Sequence, residues 1–315
     1  MSNSSEEGIS QKYPDEINLQ EIYKALLDHK IFIFSITSLF ALISILYALS
    51  LPNIYNSEAL LMPQESRSSG GGIIDQYSGM ASLAGISLPS NTGSSSQEAI
   101  ARIKSFKFFT DNILPEIALE DLLAVKKWNP ANNELIYDES IYNSKSRKWI
   151  TSTSTLKKSI PSSQEAYSAF KKIITVTEDK KTSFVSLSIK HPSPLIAQKW
   201  NQIIIEQIDN SMRNYDKKEA QLSIEYLNKV AQKINYETLK TSLASLQEQQ
   251  MKKLMMIEAK ENYIFEVLDS PLAPEIKSEP SRSKIVIIGS MLGMIFGLLL
   301  SLFHYSIISN KKSPI

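Results

Sequence analysis

No cysteine occurs anywhere in the 315 residues. That excludes disulfides, thiolate metal sites and a cysteine nucleophile. An excess of one charge is lacking too: 34 lysines and arginines face 33 aspartates and glutamates, for a formal net charge of +1. So even a balance gives no electrostatic footprint for nucleic acid or an acidic substrate, and no nucleic-acid partner is expected. Histidine is scarce. His29, His191 and His304 are far apart in the chain and two of them lie beside or within apolar runs, so a shared metal site is not expected. There is no GxSxG elbow, HExxH pair or phosphate-cradling glycine loop. The acidic doublets Glu120-Asp121, Asp138-Glu139 and Glu178-Asp179 sit beside expected turns, where solvation accounts for them without acid–base chemistry. The chain is therefore expected not to be an enzyme and to need neither cofactor nor metal.

Two long apolar runs are present. Ile31 to Leu51 reads IFIFSITSLFALISILYALSL and Ile285 to Ile308 reads IVIIGSMLGMIFGLLLSLFHYSII, uncharged apart from His304. Each has about 20 residues or slightly more, which at roughly 1.5 Å per residue spans the hydrocarbon of a bilayer. Ala48 and Ser50 form a small-x-small pattern like a signal-peptidase site. The run is longer than a usual signal core, however, and 30 residues precede it, so an uncleaved anchor is expected. The predicted organisation is a cytoplasmic segment 1–30, a transmembrane helix 31–51, a periplasmic domain 52–284, a second transmembrane helix 285–308 and a short cytoplasmic tail 309–315. Lys12, Lys24 and Lys30 before the first span, with Lys311 and Lys312 after the second, favour cytoplasmic ends. Lys277, Arg282 and Lys284 argue the other way, but long loops translocate largely regardless of charge. No output module such as a kinase is expected in so short a tail.

The middle mixes strand and helix signals. Ile54 to Met62 is a strand leaving the first span, and Ser66 to Ser96 is serine- and glycine-rich and loop-like. Gln97 to Leu123 carries apolar residues at helical spacing, Trp128 to Pro161 is a polar, loop-rich excursion, and a helix is expected around Gln164 to Phe170. Ile173–Thr177 and Phe184–Lys190 form a hairpin, the second strand alternating Val185, Leu187 and Ile189 with polar residues. After Ser193 and Pro194, proline is absent until Pro271 and glycine until Gly289. A long helix over about 195–261 follows, with a coiled-coil-like seam through Leu227, Val230, Ile234, Leu239, Leu243 and Leu246 and a break near Asn235 and Tyr236. On the order of 100 Å long if straight, it must fold back on itself or pack on other subunits, so an oligomer is expected. Tyr263 to Leu268 returns to strand, and Pro271, Pro274 and Pro280 make a stiff connector into the second span. In that span Gly289, Gly293 and Gly297 fall every fourth residue on one face, a surface for close helix packing. Assembly with other subunits, or contact with a polymerase, is the expected use of that face.

The order of parts resembles the Wzz-type polysaccharide co-polymerases, the chain-length determinants of bacterial surface polysaccharides, over nearly the whole chain. INLQEIYKALLDHKIFIF followed by YNSEALLMP, then SLAGISLP and EAIARIKSFKFF, look like that family's first third. VSLSIKHPSPLIAQKWNQIII resembles its strand running into the long helix, and LDSPLAPEIKSEPSRSK its proline-rich exit. The resemblance implies an α/β membrane-proximal domain with a mixed sheet, long helices projecting into the periplasm, and ring-like homo-oligomers in the bacterial inner membrane. It implies a non-catalytic scaffold that sets O-antigen length beside the polysaccharide polymerase, with the growing glycan as a further partner. A co-polymerase or export scaffold for capsule or exopolysaccharide, served by a separate kinase, is the alternative. The family's fused tyrosine kinase is not expected here, since no phosphate loop follows the second span.

Overall fold

The computed structural model of the protein describes residues 29–64, 95–150, 160–233 and 236–311. Expectations for 1–28, for most of the serine- and glycine-rich stretch, for 151–159 of the polar excursion, for Ile234 and Asn235, and for Lys312 and the tail's last residues lie outside these residues. The chain divides into two compact units: one holds the two apolar helices, the other is Pro52–Glu279.

Helix α1 (Lys30–Ser50) is the first apolar run, and it stops where the sequence says it must. Leu51 precedes Pro52, whose ring pushes its neighbour out of helical space, and Leu51 is extended at φ −71°, ψ 138°. Strand β1 (Tyr55–Pro63) follows, and after it come α2 (Ser95–Ile103), α3 (Phe106–Phe108) and α4 (Leu119–Leu123). Between α3 and α4 the helix widens into one π-helical turn over Phe109–Ile113, which sends both Phe109 and Ile113 into the core. The stretch expected to be loop-rich forms two small hairpins, β2 (Val125–Asn129) with β3 (Glu134–Tyr137) and β4 (Tyr142–Asn143) with β5 (Lys148–Trp149). Edge-on rings hold them: Tyr142 lies 5.5 Å from Tyr137 and 5.1 Å from Trp149.

Helix α5 (Ser163–Ile173) starts at a full capping box, Ser162 and Glu165 each satisfying the other's backbone N–H. It leads directly into β6 (Ile174–Glu178), and β7 (Val185–His191) pairs back on β6. Helix α6 (Pro194–Ala231), helix α7 (Glu237–Ala259), strand β8 (Phe265–Asp269) and helix α8 (Arg282–Lys311) complete the order. The main sheet runs β6-β7-β1-β8, so the first strand of the chain is central. The α/β architecture is the expected one, though where a mixed sheet was anticipated every pairing of these four strands is antiparallel. The cause is local: the short β6–β7 turn permits only an antiparallel pair, and β1 and β8 each approach from the opposite direction.

One layer of helix covers this sheet. Val185, Leu187 and Ile189 of β7 and Ala59 and Leu61 of β1 point to one face and are essentially unexposed. Ala197, Trp200, Ile204, Ile208 and Met212 meet them from α6 at helical spacing. Each large apolar side chain so buried contributes about 1.5–3 kcal/mol relative to exposure. Asn201 is the polar member of this face, and its Nδ2 donates to Ser57 O (3.1 Å) and Leu187 O (3.0 Å), tying α6 to two strands. Phe109, Phe170 and Tyr167 stack beside it, with Phe109 and Phe170 4.9 Å apart.

Past Met212, α6 leaves the sheet. Its 38 residues span about 57 Å at 1.5 Å each. The long helix expected over about 195–261 folds back on itself as two helices, one of the two arrangements its length allowed, because a lone projecting helix would leave its apolar seam to water. Helix α7 turns back along α6, with Lys217 paired to Glu258, Lys253 to Glu219 (3.4 Å) and Gln247 to Asn228 (2.7 Å). Ala220 and Ile257 are buried on this hairpin.

Candidate functional site

The glycine face of α8 packs against the chain's own α1. A Cβ added at Gly289 would stand 1.7 Å from Ser44 Oγ and 2.7 Å from Ser44 Cβ. At Gly293 it would stand 2.5 Å from Phe40 Cβ and 3.3 Å from Thr37 Cα. At Gly297 the nearest atom, Ile33 Cα, is 3.4 Å away, an ordinary contact. Glycine is thus required at the first two positions and convenient at the third. Ser301, one turn further on, is fully buried and extends the stripe, and Phe40 meets Phe296 with ring centroids 5.8 Å apart. At one end of the pair Arg282 Nε donates to Ala48 O at 3.1 Å, and at the other His29 and His304 meet edge-on at 5.3 Å.

Two of the three histidines are thus brought together, although 275 residues of sequence separate them. Ser301 and the partners on α1 were missed by sequence reasoning. The available signal was Thr37, Ala41, Ser44 and Ala48, small residues recurring at three-to-four spacing among bulky ones.

The proline connector is hydrogen-bonded as well as stiff. Pro271 is buried, and its carbonyl accepts from Gln198 Nε2 (3.1 Å) while Leu272 O accepts from Ser57 Oγ (2.8 Å). Pro274 is half-buried in the same run, and Pro280 stands just ahead of α8. Ile54 and Glu279 clasp the two ends of the unit Pro52–Glu279, Ile54 N donating to Glu279 O at 2.9 Å, and Lys190 pairs with the Glu279 carboxylate at 2.6 Å.

Arg213, on α6, organises the return from α7 into β8. Its guanidinium donates to Ile257 O, Lys260 O and Glu261 O and to Asp209 Oδ2, at 2.7–2.9 Å. Asp209 Oδ1 in turn accepts from the backbone N–H of Tyr263 and Ile264. Burial, with a hydrogen bond donated to Asp216, pushes the Tyr263 hydroxyl well above its ordinary value. Beside this clamp an open groove of about 590 Å³ is lined by Gln202, Glu206 and Asn210 of α6 and by Phe265 and Val267 of β8. Its amides and carboxylates suit hydrogen bonding to a polar ligand, and no nucleophile is paired with a base there. Among the described residues no group of three or more His, Asp or Glu is placed to hold a metal ion.

Residues 15–110, from the segment ahead of α1 through α3, match the family model Wzz, described as chain length determinant protein. That stretch of the chain is similar to the Wzz family. The matched stretch includes the apolar α1, the central strand β1 and helix α2. No curated protein matches the chain by sequence. Among solved structures the chain is similar to a full-length bacterial polysaccharide co-polymerase, at 15% identity and TM-score 0.42, over 94% of this chain and 100% of that one. It is also similar to a fragment of WzzB, a polysaccharide co-polymerase from Salmonella Typhimurium (15% identity, TM-score 0.30, 72% of this chain and 100% of that one). A mutant of the Shigella flexneri lipopolysaccharide O-antigen chain-length regulator WzzBSF matches at 13% identity and TM-score 0.22, over 71% of this chain and 100% of that one. These likenesses are distant.

Proposed function

We propose that the protein is a two-pass inner-membrane regulator of surface polysaccharide chain length, with the O-antigen of lipopolysaccharide as its polymer. The observation that carries this is the Wzz match across α1, β1 and α2, in a chain with an apolar helix on each side of its soluble unit. The lysines at both ends favour a periplasmic soluble unit with cytoplasmic termini. No bond is made or broken by this chain. It acts as a homo-oligomeric scaffold beside the polymerase in the membrane, with the growing glycan meeting the soluble unit. Exposed Leu222, Tyr226, Leu246 and Met255 on the α6–α7 hairpin support self-association, because so many large apolar side chains are poorly placed in water.

The test is the length distribution of surface polysaccharide on a gel, with and without the gene. Loss of a preferred length, leaving polymer of random short lengths, is the expected result. Loss of an entire capsule or secreted polymer would instead indicate an export scaffold served by a separate kinase. Unchanged surface glycan would overturn both.

A further inference from the structure

His191 ends β7 two residues before the N-cap of the longest helix, and it is only 3% exposed. Both ring nitrogens are engaged. The Ser193 backbone N–H lies 2.9 Å from Nδ1, and an amide can only donate, so Nδ1 carries no proton. Nε2 therefore bears the hydrogen and donates to Asp121 O at 3.0 Å, while the ring packs edge-on against Trp200 at 5.0 Å. One neutral imidazole thus bridges α4 to the start of α6.

We propose that His191 is an acid-sensitive latch that fastens α4 and its following hairpins to the base of α6. A proton added at Nδ1 would set two donors head to head at the Ser193 amide. It would also put a positive charge at a helix N-terminus, where the exposed N–H groups already carry positive partial charge. The charged group acting on the ring is Asp121 of α4; around that carboxylate in turn stand Glu120 of α4, Tyr137 of β3 and Lys199 of α6, with Tyr142 of β4 against Tyr137. The Asp121 carboxylate favours the imidazolium, but it is already bound by the Tyr137 hydroxyl at 2.7 Å, and burial holds its carboxyl above the usual range. Burial holds the His191 imidazole below its ordinary value of 6.5. The folded latch therefore binds fewer protons than the unfolded chain. Its contribution is complete above about pH 6.5 and is lost as pH falls below that value toward the lowered folded one. This latch belongs to the soluble unit and holds whatever that unit serves.

Hydrogen–deuterium exchange of the full-length chain in detergent, from about pH 7.5 to 5 and corrected for intrinsic rates, tests it. Peptides covering Leu119–Asn143 and His191–Ala197 should accelerate by up to about tenfold per pH unit, one proton being taken up per opening. Peptides covering Ala59–Leu61 should not change. His191→Asn offers Ser193 an acceptor that does not titrate, and should abolish the acid step. Should that variant not fold, ring NMR of the wild type serves: His191 must take up its proton over the same pH range as the exchange step. Uniform acceleration of all peptides, an acid step persisting in His191→Asn, or protonation of His191 without faster exchange would each overturn the proposal.

Discussion

Gly293→Leu should unzip the apolar helix pair. The first side-chain carbon alone would sit 2.5 Å from Phe40 Cβ, against a carbon–carbon contact distance of about 3.5–4.0 Å. Phe40 Cβ cannot yield by rotating, since it is fixed to the backbone, and Thr37 Cα stands 3.3 Å away on the next turn. The helices must part by about 1 Å or more, forfeiting contacts at neighbouring turns as well. Overpacking of this kind costs roughly 1–3 kcal/mol, and the further carbons of leucine put the variant at or above the upper end. Because the chain has no cysteine, Ile33→Cys with Gly297→Cys would supply its only thiols. A Cβ at 297 lies 3.4 Å from Ile33 Cα, close enough for a disulfide. Oxidation in membranes, with remaining thiols counted by maleimide gel shift, should give nearly complete cross-linking with Gly293 in place. Adding Gly293→Leu should leave a small fraction. Equal rate and extent of cross-linking in the two would refute the account of the interface. Gly297→Ala should be nearly neutral in the same assay, with cysteines placed elsewhere on the pair, and Ser44→Gly should partly rescue Gly289→Ala by moving the side chain from one helix to the other.

Other outcomes follow from the soluble unit. Asn201→Ala leaves the carbonyls of Ser57 and Leu187 without that donor in a dry core, a loss of about 1–3 kcal/mol readable as a lower denaturant midpoint; an unchanged midpoint would mean both oxygens find other partners. Phe170→Ala opens a cavity beside Phe109 and should cost about 3–5 kcal/mol in the same titration. Arg213→Lys keeps the charge but cannot fork to three carbonyls and Asp209, so limited proteolysis between Ile257 and Tyr263 should accelerate several-fold. Cleavage at the wild-type rate would show that Asp209 alone holds the turn.

Much of this architecture is legible in the sequence because its signals are strong and local. Val185, Leu187 and Ile189 alternate with polar residues, and a half-buried strand is the arrangement that satisfies such a pattern. The helix expected around Gln164 to Phe170 is α5, which the structure starts with a capping box at Ser162 and Glu165. What escaped is non-local. Nothing near Gly293 tells that its neighbour is Phe40, about 250 residues earlier, rather than a helix from another protein. The bridging role of His191 needs the carbonyl of Asp121, and a carbonyl has no sequence signature. Arg213 looks like one more charge on a helix full of them until the turn after α7 closes over it. The hairpins of β2 to β5 escaped for a different reason: their strands are only two to five residues long, and paired aromatic rings hold them in place of an apolar alternation.

The central position of β1 sets a schedule on the ribosome. This strand is among the first soluble residues made, yet its neighbour β7 begins at Val185 and its other neighbour β8 at Phe265. At about 5–20 residues per second, the gap to β8 alone amounts to roughly 10–40 s of synthesis. Until β7 arrives this nine-residue strand has two unpaired edges, and until β8 arrives it still has one. Such a strand is a template for pairing with any other nascent copy, and it must be shielded or kept apart until the chain as far as Asp269 has arrived.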